Sequence, residues 1–439
     1  MKIGFISLGC SKNTIDTEMM LSHLDDARFQ ITGDANDADV ILINTCGFIG
    51  DAKEESIATI KEVAKLKKTG KLKKLIVTGC LVERWRNNIL ERLPEIDAVT
   101  GLGGIHDIVE TVEKSLKTDK YAVFKNYEET PIEGERMLSD DSPAAFLRIS
   151  EGCDNRCSYC AIPKIRGRYR SRTIESIVEE ARDLESAGAK ELNLIAEDTS
   201  RYGVDLYKKT ALPELLRRLG AETNIPWIRI FYCYPDKIDD ELIEEMRTNP
   251  RVLPYLDMPI QHISDTVLRR MNRHGDKAQI KSVIEKLRRA MPNIVLRTTV
   301  IVGFPGETDE QFAELLDFVK ETKFDRLGAF AYSREEGTPA CDYPDQIDDE
   351  TKRERLDALM MAQAEISFES QQKRVGQTLD VLCEGFDEDE DMFFGRDYSN
   401  GCDVDGKVYF TSKDFVETGT FVKIKITDAT EYDLFGRSV

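Results

Sequence analysis

Cysteine is the residue type with the most chemistry to offer in this chain, and six of its ten cysteines fall into two sets of three. One set shares a single window, Cys153-Asp154-Asn155-Arg156-Cys157-Ser158-Tyr159-Cys160, spaced C-x3-C-x2-C. Such a loop can bring three thiolates to one metal cluster but cannot supply a fourth. A closed structural zinc site takes four ligands, and a cluster that only carries electrons takes four cysteines. Here no histidine lies nearby and the next cysteine is Cys233. Three thiolates on a cubane would leave one iron open to a small molecule. A zinc knuckle or a disulfide cluster is the alternative, and the absent fourth ligand counts against it. The other set is Cys10, Cys46 and Cys80, spaced 36 and 34 residues apart, each beside a glycine (Gly9, Gly47, Gly79). One such cysteine could be an apolar filler. Three at one structural phase, again without a fourth, read as a second cluster with an open iron.

The elements that must position these thiols alternate. Lys2–Leu8, Asp39–Asn44, Leu75–Thr78 and Asp97–Thr100 are short apolar runs. Each precedes a helical pattern: Ile15–Leu24, Lys53–Lys67, Val82–Leu93 and His106–Leu116. The alternation predicts a doubly wound α/β domain over residues 1–122, with a parallel sheet covered on both faces. Carboxyl ends of parallel strands share one edge, where ligands bind, so Cys10, Cys46 and Cys80 are expected to converge. Residues 123–143 are polar and acidic and read as a linker. From 144 to 371, strand candidates Ala144–Ile149, Glu191–Ile195, Trp227–Phe231, Tyr255–Met258, Val295–Val300 and Arg326–Ala331 alternate with helical stretches. Six βα units give an open, partial (βα)6 barrel whose active residues belong at strand carboxyl ends, by analogy with the full barrel. Lys352–Gln372 reads as a charged helix bridging domains. Thr378–Cys383, Lys407–Phe410 and Phe421–Thr427 make residues 372–439 a small β-barrel domain.

Bulk properties narrow the partners. The 439 residues carry a net charge of −20, and 41% of them are apolar. Clustered cysteines in so long a chain favour metal or redox chemistry in the cytosol over a secreted disulfide scaffold. No signal peptide and no membrane-length apolar run is found, so a soluble, cytoplasmic protein is expected. Net negative charge opposes approach to a polyphosphate and suits a basic protein, although solubility alone explains many acidic chains. Residues 372–439 hold eight Lys or Arg against fifteen Asp or Glu, with a solid run at Asp387-Glu388-Asp389-Glu390-Asp391.

The C-x3-C-x2-C spacing resembles that of radical S-adenosylmethionine (SAM) enzymes. Ser7-Leu8-Gly9-Cys10-Ser11-Lys12-Asn13 with Asp16 and Glu18, then Asn44-Thr45-Cys46 and Thr78-Gly79-Cys80, resemble the amino-terminal domain of the methylthiotransferases. Val375-Gly376-Gln377 and Asp433-Leu434-Phe435-Gly436 resemble a TRAM domain. The resemblance implies a [4Fe–4S] cluster on Cys153, Cys157 and Cys160 that splits SAM into methionine and a 5′-deoxyadenosyl radical. It implies a second [4Fe–4S] cluster on Cys10, Cys46 and Cys80 that holds sulfur. SAM contacts would come from Tyr159 against the adenine and from Glu197, in Ala196-Glu197-Asp198, at the amino group. Gln261, in Gln261-His262, and Gly303, in Val302-Gly303-Phe304-Pro305-Gly306-Glu307-Thr308, would complete them. Each motif alone is weak; regular placement at strand ends is the stronger signal.

Within the family, Ala161-Ile162-Pro163-Lys164-Ile165-Arg166-Gly167 and Asp198-Thr199-Ser200-Arg201-Tyr202-Gly203 are similar to the branch acting on a ribosomal protein. That implies a methylthio group placed on the β-carbon of an aspartate in small-subunit ribosomal protein twelve, a basic protein. Two SAM molecules and a reduced flavodoxin or ferredoxin are implied with it. The alternatives are a methylthiotransferase acting on transfer-RNA adenosine, a non-enzymatic iron–sulfur carrier, and a radical SAM enzyme that inserts no sulfur. Lys164, Arg166, Arg168, Arg170 and Arg172 alternate after the loop, to face either an anion such as the reduced cluster or solvent. Cys233, Cys341, Cys383 and Cys402 are expected to be ordinary residues.

Overall fold

The computed structural model describes residues 1–27 and 29–439. The chain forms two compact units. The first contains Met1–Asp141 together with two later segments, Ser150–Arg170 and Ser333–Cys341. The second contains Ser142–Ile149, Ser171–Tyr332 and Asp342–Val439. The loop bearing Cys153, Cys157 and Cys160 therefore belongs with the amino-terminal residues.

In the first unit six parallel strands, β1 (Lys2–Ser7), β2 (Gln30–Thr32), β3 (Val40–Thr45), β4 (Lys74–Gly79), β5 (Ala98–Thr100) and β6 (Tyr121–Val123), form one sheet. Their order is β2-β1-β3-β4-β5-β6. The central strand β3 is buried along its whole length, as a parallel strand covered on both faces must be. Isoleucine, leucine and valine from β3 and β4 build the core with Ile60, Leu81 and Ile89. The edge strands β2 and β6 are three residues long and partly exposed, so they carry no apolar signal. Short edges also discourage pairing with other chains.

Helix α1 (Ser11–Asp26) departs from ordinary amphipathic logic. Its first two turns bury Lys12, Asn13, Asp16, Thr17 and Glu18 before Met19, Met20, Leu21 and Leu24 continue the apolar face. Buried polar groups need partners. Glu18 takes Arg136 at 2.6 Å and the Ser139 backbone N–H at 3.2 Å, pinning the segment that follows β6. The helical pattern after β4 is broken into Cys80–Trp85, a 3-10 turn at Arg86–Asn88 and Ile89–Arg92. The break sits at Arg86, whose φ is +35° and whose guanidinium stacks over Phe124.

The second unit has a six-stranded, all-parallel, open sheet. Its order runs Arg326–Ala331, Val295–Val302, Val252–Asp257, Trp227–Ile230, Glu191–Ile195, Ala144–Arg148. This is the partial (βα)6 barrel the alternation predicts. Four of its helices start from side-chain caps at Thr173, Asp239, Asp276 and Thr308, the last in a reciprocal pair with Gln311. Residues Thr378–Asp387, Met392–Arg396, Val408–Thr411, Leu434–Ser438 and Phe421–Ala429 close a five-stranded barrel. Val381, Cys383, Phe393, Phe410, Ile424 and Leu434 fill it.

This small barrel docks at the amino ends of the parallel strands. Glu191, the first residue of its strand, binds Arg229 at 2.6 Å and Arg396 at 2.7 Å. The Tyr255 hydroxyl donates to Asp405 at 2.7 Å, and Trp227 packs edge-on against Phe421. Helix Asp349–Gln372 joins the two parts. Arg355 binds Glu307 and Asp309 near its start. Gln371 and Gln372 donate to the carbonyls of Tyr432 and Ala429 at its end. With one end of the sheet covered this way, the carboxyl ends are left for chemistry. Among the described residues, no helix is long and apolar enough to cross a membrane.

Candidate active site: two sets of three cysteines

In the first unit β1, β3 and β4 are neighbours, with Ser7 opposite Asn44 and Asn44 opposite Thr78. Cys10, Cys46 and Cys80 follow these strands at the same edge. Cys10 is exposed at the start of α1, Cys46 is half-buried, and the buried Cys80 opens helix Cys80–Trp85. Glycine permits the approach. A Cβ on Gly9 would lie 3.0 Å from the Cys46 Cβ, and one on Gly47 would fall 2.6 Å from the Leu81 nitrogen. Cys10 lies close enough to Cys46 and Cys80 to raise the proton affinity of both. Burial is the main cause that lifts Cys80 to about 12; Arg166 opposes it, and Cys10 and Cys46 add to it. Burial raises Cys46 as well. Ligation must displace these protons, so metal binding here is proton-coupled.

A polar frame holds the edge in place. The Asn13 amide donates to the carbonyls of Leu8 and Thr45 at 2.7 and 3.1 Å. Asn44 donates to the Asn13 carbonyl and to the Thr17 hydroxyl. The hydroxyls of Ser11 and Thr78 are buried without a partner among the described residues. A hydroxyl can donate to a sulfur ligand, so these orphans and three convergent thiols fit an iron–sulfur group.

The second set lies in the loop after Ser150–Glu151. Gly152 has φ +73°, and a Cβ there would meet the Arg168 carbonyl at 2.1 Å. Arg156 also takes a positive φ, +54°. Cys153 and Cys157 are buried and Cys160 is half-buried. The Cys160 N–H donates to the Cys157 carbonyl at 3.0 Å, and the Ile162 N–H reaches the Cys160 sulfur at 3.4 Å. N–H donors to sulfur tune iron–sulfur clusters, so this loop also fits such a group. Tyr159 is half-buried in the same loop.

Segment Ser333–Cys341 braces both sets. The Ala340 N–H donates to the Ser158 carbonyl at 2.8 Å. Glu335 accepts from Lys53 at 2.6 Å and from Arg84 at 2.7 Å. Arg84 in turn donates to the Gly47 carbonyl, next to Cys46, at 2.8 Å.

The basic ladder divides. Arg166 is wholly buried, Arg168 is exposed, and Arg170 donates to the carbonyls of Tyr127, Glu128 and Thr130. Arg166 donates to Glu151 and Asp16 at 3.0 Å, to Asn13 at 2.9 Å and to the Cys80 sulfur at 3.8 Å. Sequence reasoning singled out none of Glu151, Glu335 and Arg84. Asp16 and Glu18, acids inside an apolar helical pattern, were the available signal.

In the second unit Glu197, Gln261 and Gly303 each lie just past the carboxyl end of a strand. Glu197 is half-buried, whereas its neighbour Asp198 is buried on Ser200 and Arg201. Gln261 adopts φ +68°, bridges to Val300, and keeps its side-chain oxygen buried and unpartnered. Gly303 has φ +69°, and a Cβ there would strike Lys352 at 2.4 Å. His262 is sealed from water: its Nδ1 accepts from the Ser264 N–H at 3.0 Å, and its Nε2 lies 3.8 Å from Glu307. Cys233 and Cys383 are buried as apolar fillers.

Three family descriptions match the chain: "Radical SAM superfamily" over residues 147–319, "Uncharacterized protein family UPF0004" over 2–101 and "TRAM domain" over 375–439. Among curated relatives, the ribosomal protein uS12 methylthiotransferase RimO of Desulforamulus reducens is 48% identical, covering 99% of this chain and 98% of that one. The protein of the same name from Clostridium acetobutylicum is 46% identical, with 99% and 98% covered. That from Thermoanaerobacter sp. is 48% identical, with 99% of each covered. Among solved structures, the radical SAM methyltransferase TsrM from Kitasatospora setae, with cobalamin and a [4Fe–4S] cluster bound, aligns with a TM-score of 0.56 at 14% identity. The alignment covers 77% of this chain and 73% of that one. The cobalamin-dependent radical SAM enzyme OxsB aligns at 0.54 and 15% identity, covering 83% and 56%. At such identities the likeness is one of fold.

Proposed function

Because the chain belongs to the radical SAM methylthiotransferases of the RimO type, we propose that it attaches a methylthio group to the β-carbon of an aspartate in ribosomal protein uS12. In this reading Cys153, Cys157 and Cys160 hold one [4Fe–4S] cluster, and Cys10, Cys46 and Cys80 hold a second. When bound, SAM and the clusters would supply radical chemistry at an unactivated carbon and the methylthio group itself. Tyr159, Glu197, Gln261 and Gly303 would bind SAM and fix its orientation, the part of catalysis that belongs to the protein. Burial of Cys80, Cys153 and Cys157 would shield the clusters from water. Reduced flavodoxin or ferredoxin would be the electron donor, and the cytoplasm, where the ribosome is built, the place of action.

The observation that supports this most is the meeting of Cys10, Cys46 and Cys80, distant in sequence, at one sheet edge beside Arg166 from the other cysteine loop. The acidic carboxyl-terminal barrel favours a basic protein over RNA, whose backbone it would repel.

Two measurements on anaerobic protein test the reading. Iron analysis with Mössbauer spectra should give about eight irons per chain in two cubanes, and about half that when Cys10, Cys46 and Cys80 are replaced by Ala. The same triple variant should still cleave SAM after reduction yet leave the mass of uS12 unchanged. Sulfur insertion that survives the triple replacement would refute the second site.

A further inference from the structure

We propose that Arg166 is a positioning residue that fixes the charge balance at Cys80, and with it the reduction potential of a cluster on Cys10, Cys46 and Cys80. The inference rests on reading those three cysteines as a cluster site. Its basis is the geometry of one guanidinium. Nη1 donates to Glu151 at 3.0 Å, two residues before Cys153. Nη2 is shared among Asn13 Oδ1 at 2.9 Å, Asp16 Oδ2 at 3.0 Å and the Cys80 sulfur at 3.8 Å. Arg166, Asp16 and Glu151 are all buried, each with a side chain about 1% exposed or less. Arginine alone suits this role: its planar fork reaches carboxylates on two sides and stays charged when buried.

A bland reading exists. Buried ion pairs often do no more than tie elements together, and Glu151 and Asp16 would satisfy Arg166 without a sulfur. Two features go beyond it. Nη2 faces sulfur as well as carboxylate. Asn13, which positions the loops bearing Cys10 and Cys46 through Leu8 and Thr45, is held by the same Nη2. A cluster gains negative charge on reduction, and a cation fixed at its ligand in a site closed to water stabilises that state. Asp16 and Glu151 moderate the effect, so the three side chains together set the potential.

The test uses the full chain with Cys153, Cys157 and Cys160 replaced by Ala, so that one cluster reports. After anaerobic reconstitution with iron and sulfide, iron is counted and the potential is read by a redox titration followed by electron paramagnetic resonance. Arg166→Gln should shift the potential to more negative values, Arg166→Lys should restore part of the shift, and Asp16→Asn should move it the opposite way. A purely structural pair would not give shifts of opposite sign. Iron retained with an unmoved potential in Arg166→Gln overturns the inference. Should that variant fail to fold or to hold iron, Asp16→Asn decides, since it keeps the guanidinium; a potential that does not rise there overturns it. Absence of iron when Arg166 is intact overturns the reading of the second site itself, a separate failure.

Discussion

His262 shows what burial does to one titratable side chain. Loss of solvent, and then the charge of Arg355, push its pKa down to about 3. The Ser264 N–H donates to Nδ1, so Nε2 carries the proton of the neutral ring. Glu307 lies too far off for a good hydrogen bond and is itself occupied by Arg355. The unfolded chain binds a proton near pH 6.5 and the folded one does not, so His262 favours unfolding as pH falls from 6.5 towards 3. At about 1.4 kcal/mol per pH unit the loss approaches roughly 5 kcal/mol at the acid end. We expect His262→Gln to flatten the acid limb of stability between pH 6.5 and 4, followed by urea midpoints across pH. Equal slopes in both proteins would show that other groups govern it. At this scale the sequence was legible where spacing alone puts three thiols on one short loop, as at Cys153, Cys157 and Cys160. It was ambiguous at the basic ladder, because alternation assumes an extended chain. Here helix Ile162–Ile165 and a left-handed Gly167, φ +73°, precede Arg168, so Arg166 turns inward while Arg168 faces water.

Among elements, the strands with long β-branched runs were readable, and so were the helices between them except the one after β4, which breaks at Arg86. Strands β2 and β6, and Met392–Arg396 in the small barrel, were not, since short edge strands and a Phe-Phe-Gly run follow no clear alternation. Nor could periodicity reveal that the small barrel docks through charge. Glu191 is buried at the first residue of its strand; burial alone would raise its pKa, but Arg229 and then Arg396 outweigh it and hold the carboxyl below its usual range. Arg396 also binds Glu384 at 2.7 Å and the Asn400 carbonyl at 3.0 Å. Removing one member of such a cluster leaves charge stranded, which costs about 3–5 kcal/mol. Arg396→Met should therefore destabilise the protein by about that much in chemical unfolding. Arg396→Met combined with Glu384→Gln should recover part of the loss, because Glu191 keeps Arg229 and the stranded Glu384 carboxylate is gone. Recovery that never comes would mean that Arg396 acts by packing.

For the whole molecule the governing quantity is the net charge of −20, which belongs to the partner as much as to the fold. Charge of one sign over a surface steers an oppositely charged partner and speeds encounter more than it tightens the complex. Glu388, Asp389, Glu390 and Asp391 are exposed on the turn that joins two strands of the small barrel, and half-buried Asp387 ends the first of those strands. Like charges packed side by side there gain little for folding, so their electrostatic effect falls on what approaches. At an ionic strength of 0.1 M the field reaches only about 10 Å, and salt shortens it further. If uS12 is the substrate, its association rate should fall by about tenfold between low salt and 0.5 M, with a much smaller change in dissociation. Replacing Asp387, Asp389 and Asp391 by Asn, with Glu388 and Glu390 by Gln, should lower the low-salt rate and flatten its salt dependence while leaving SAM cleavage unchanged. Stopped-flow measurement of both proteins against salt decides it. A rate indifferent to salt in the unmodified chain would place recognition in apolar contact instead, and a transfer RNA that bound as fast as uS12 at low salt would contradict the charge argument outright.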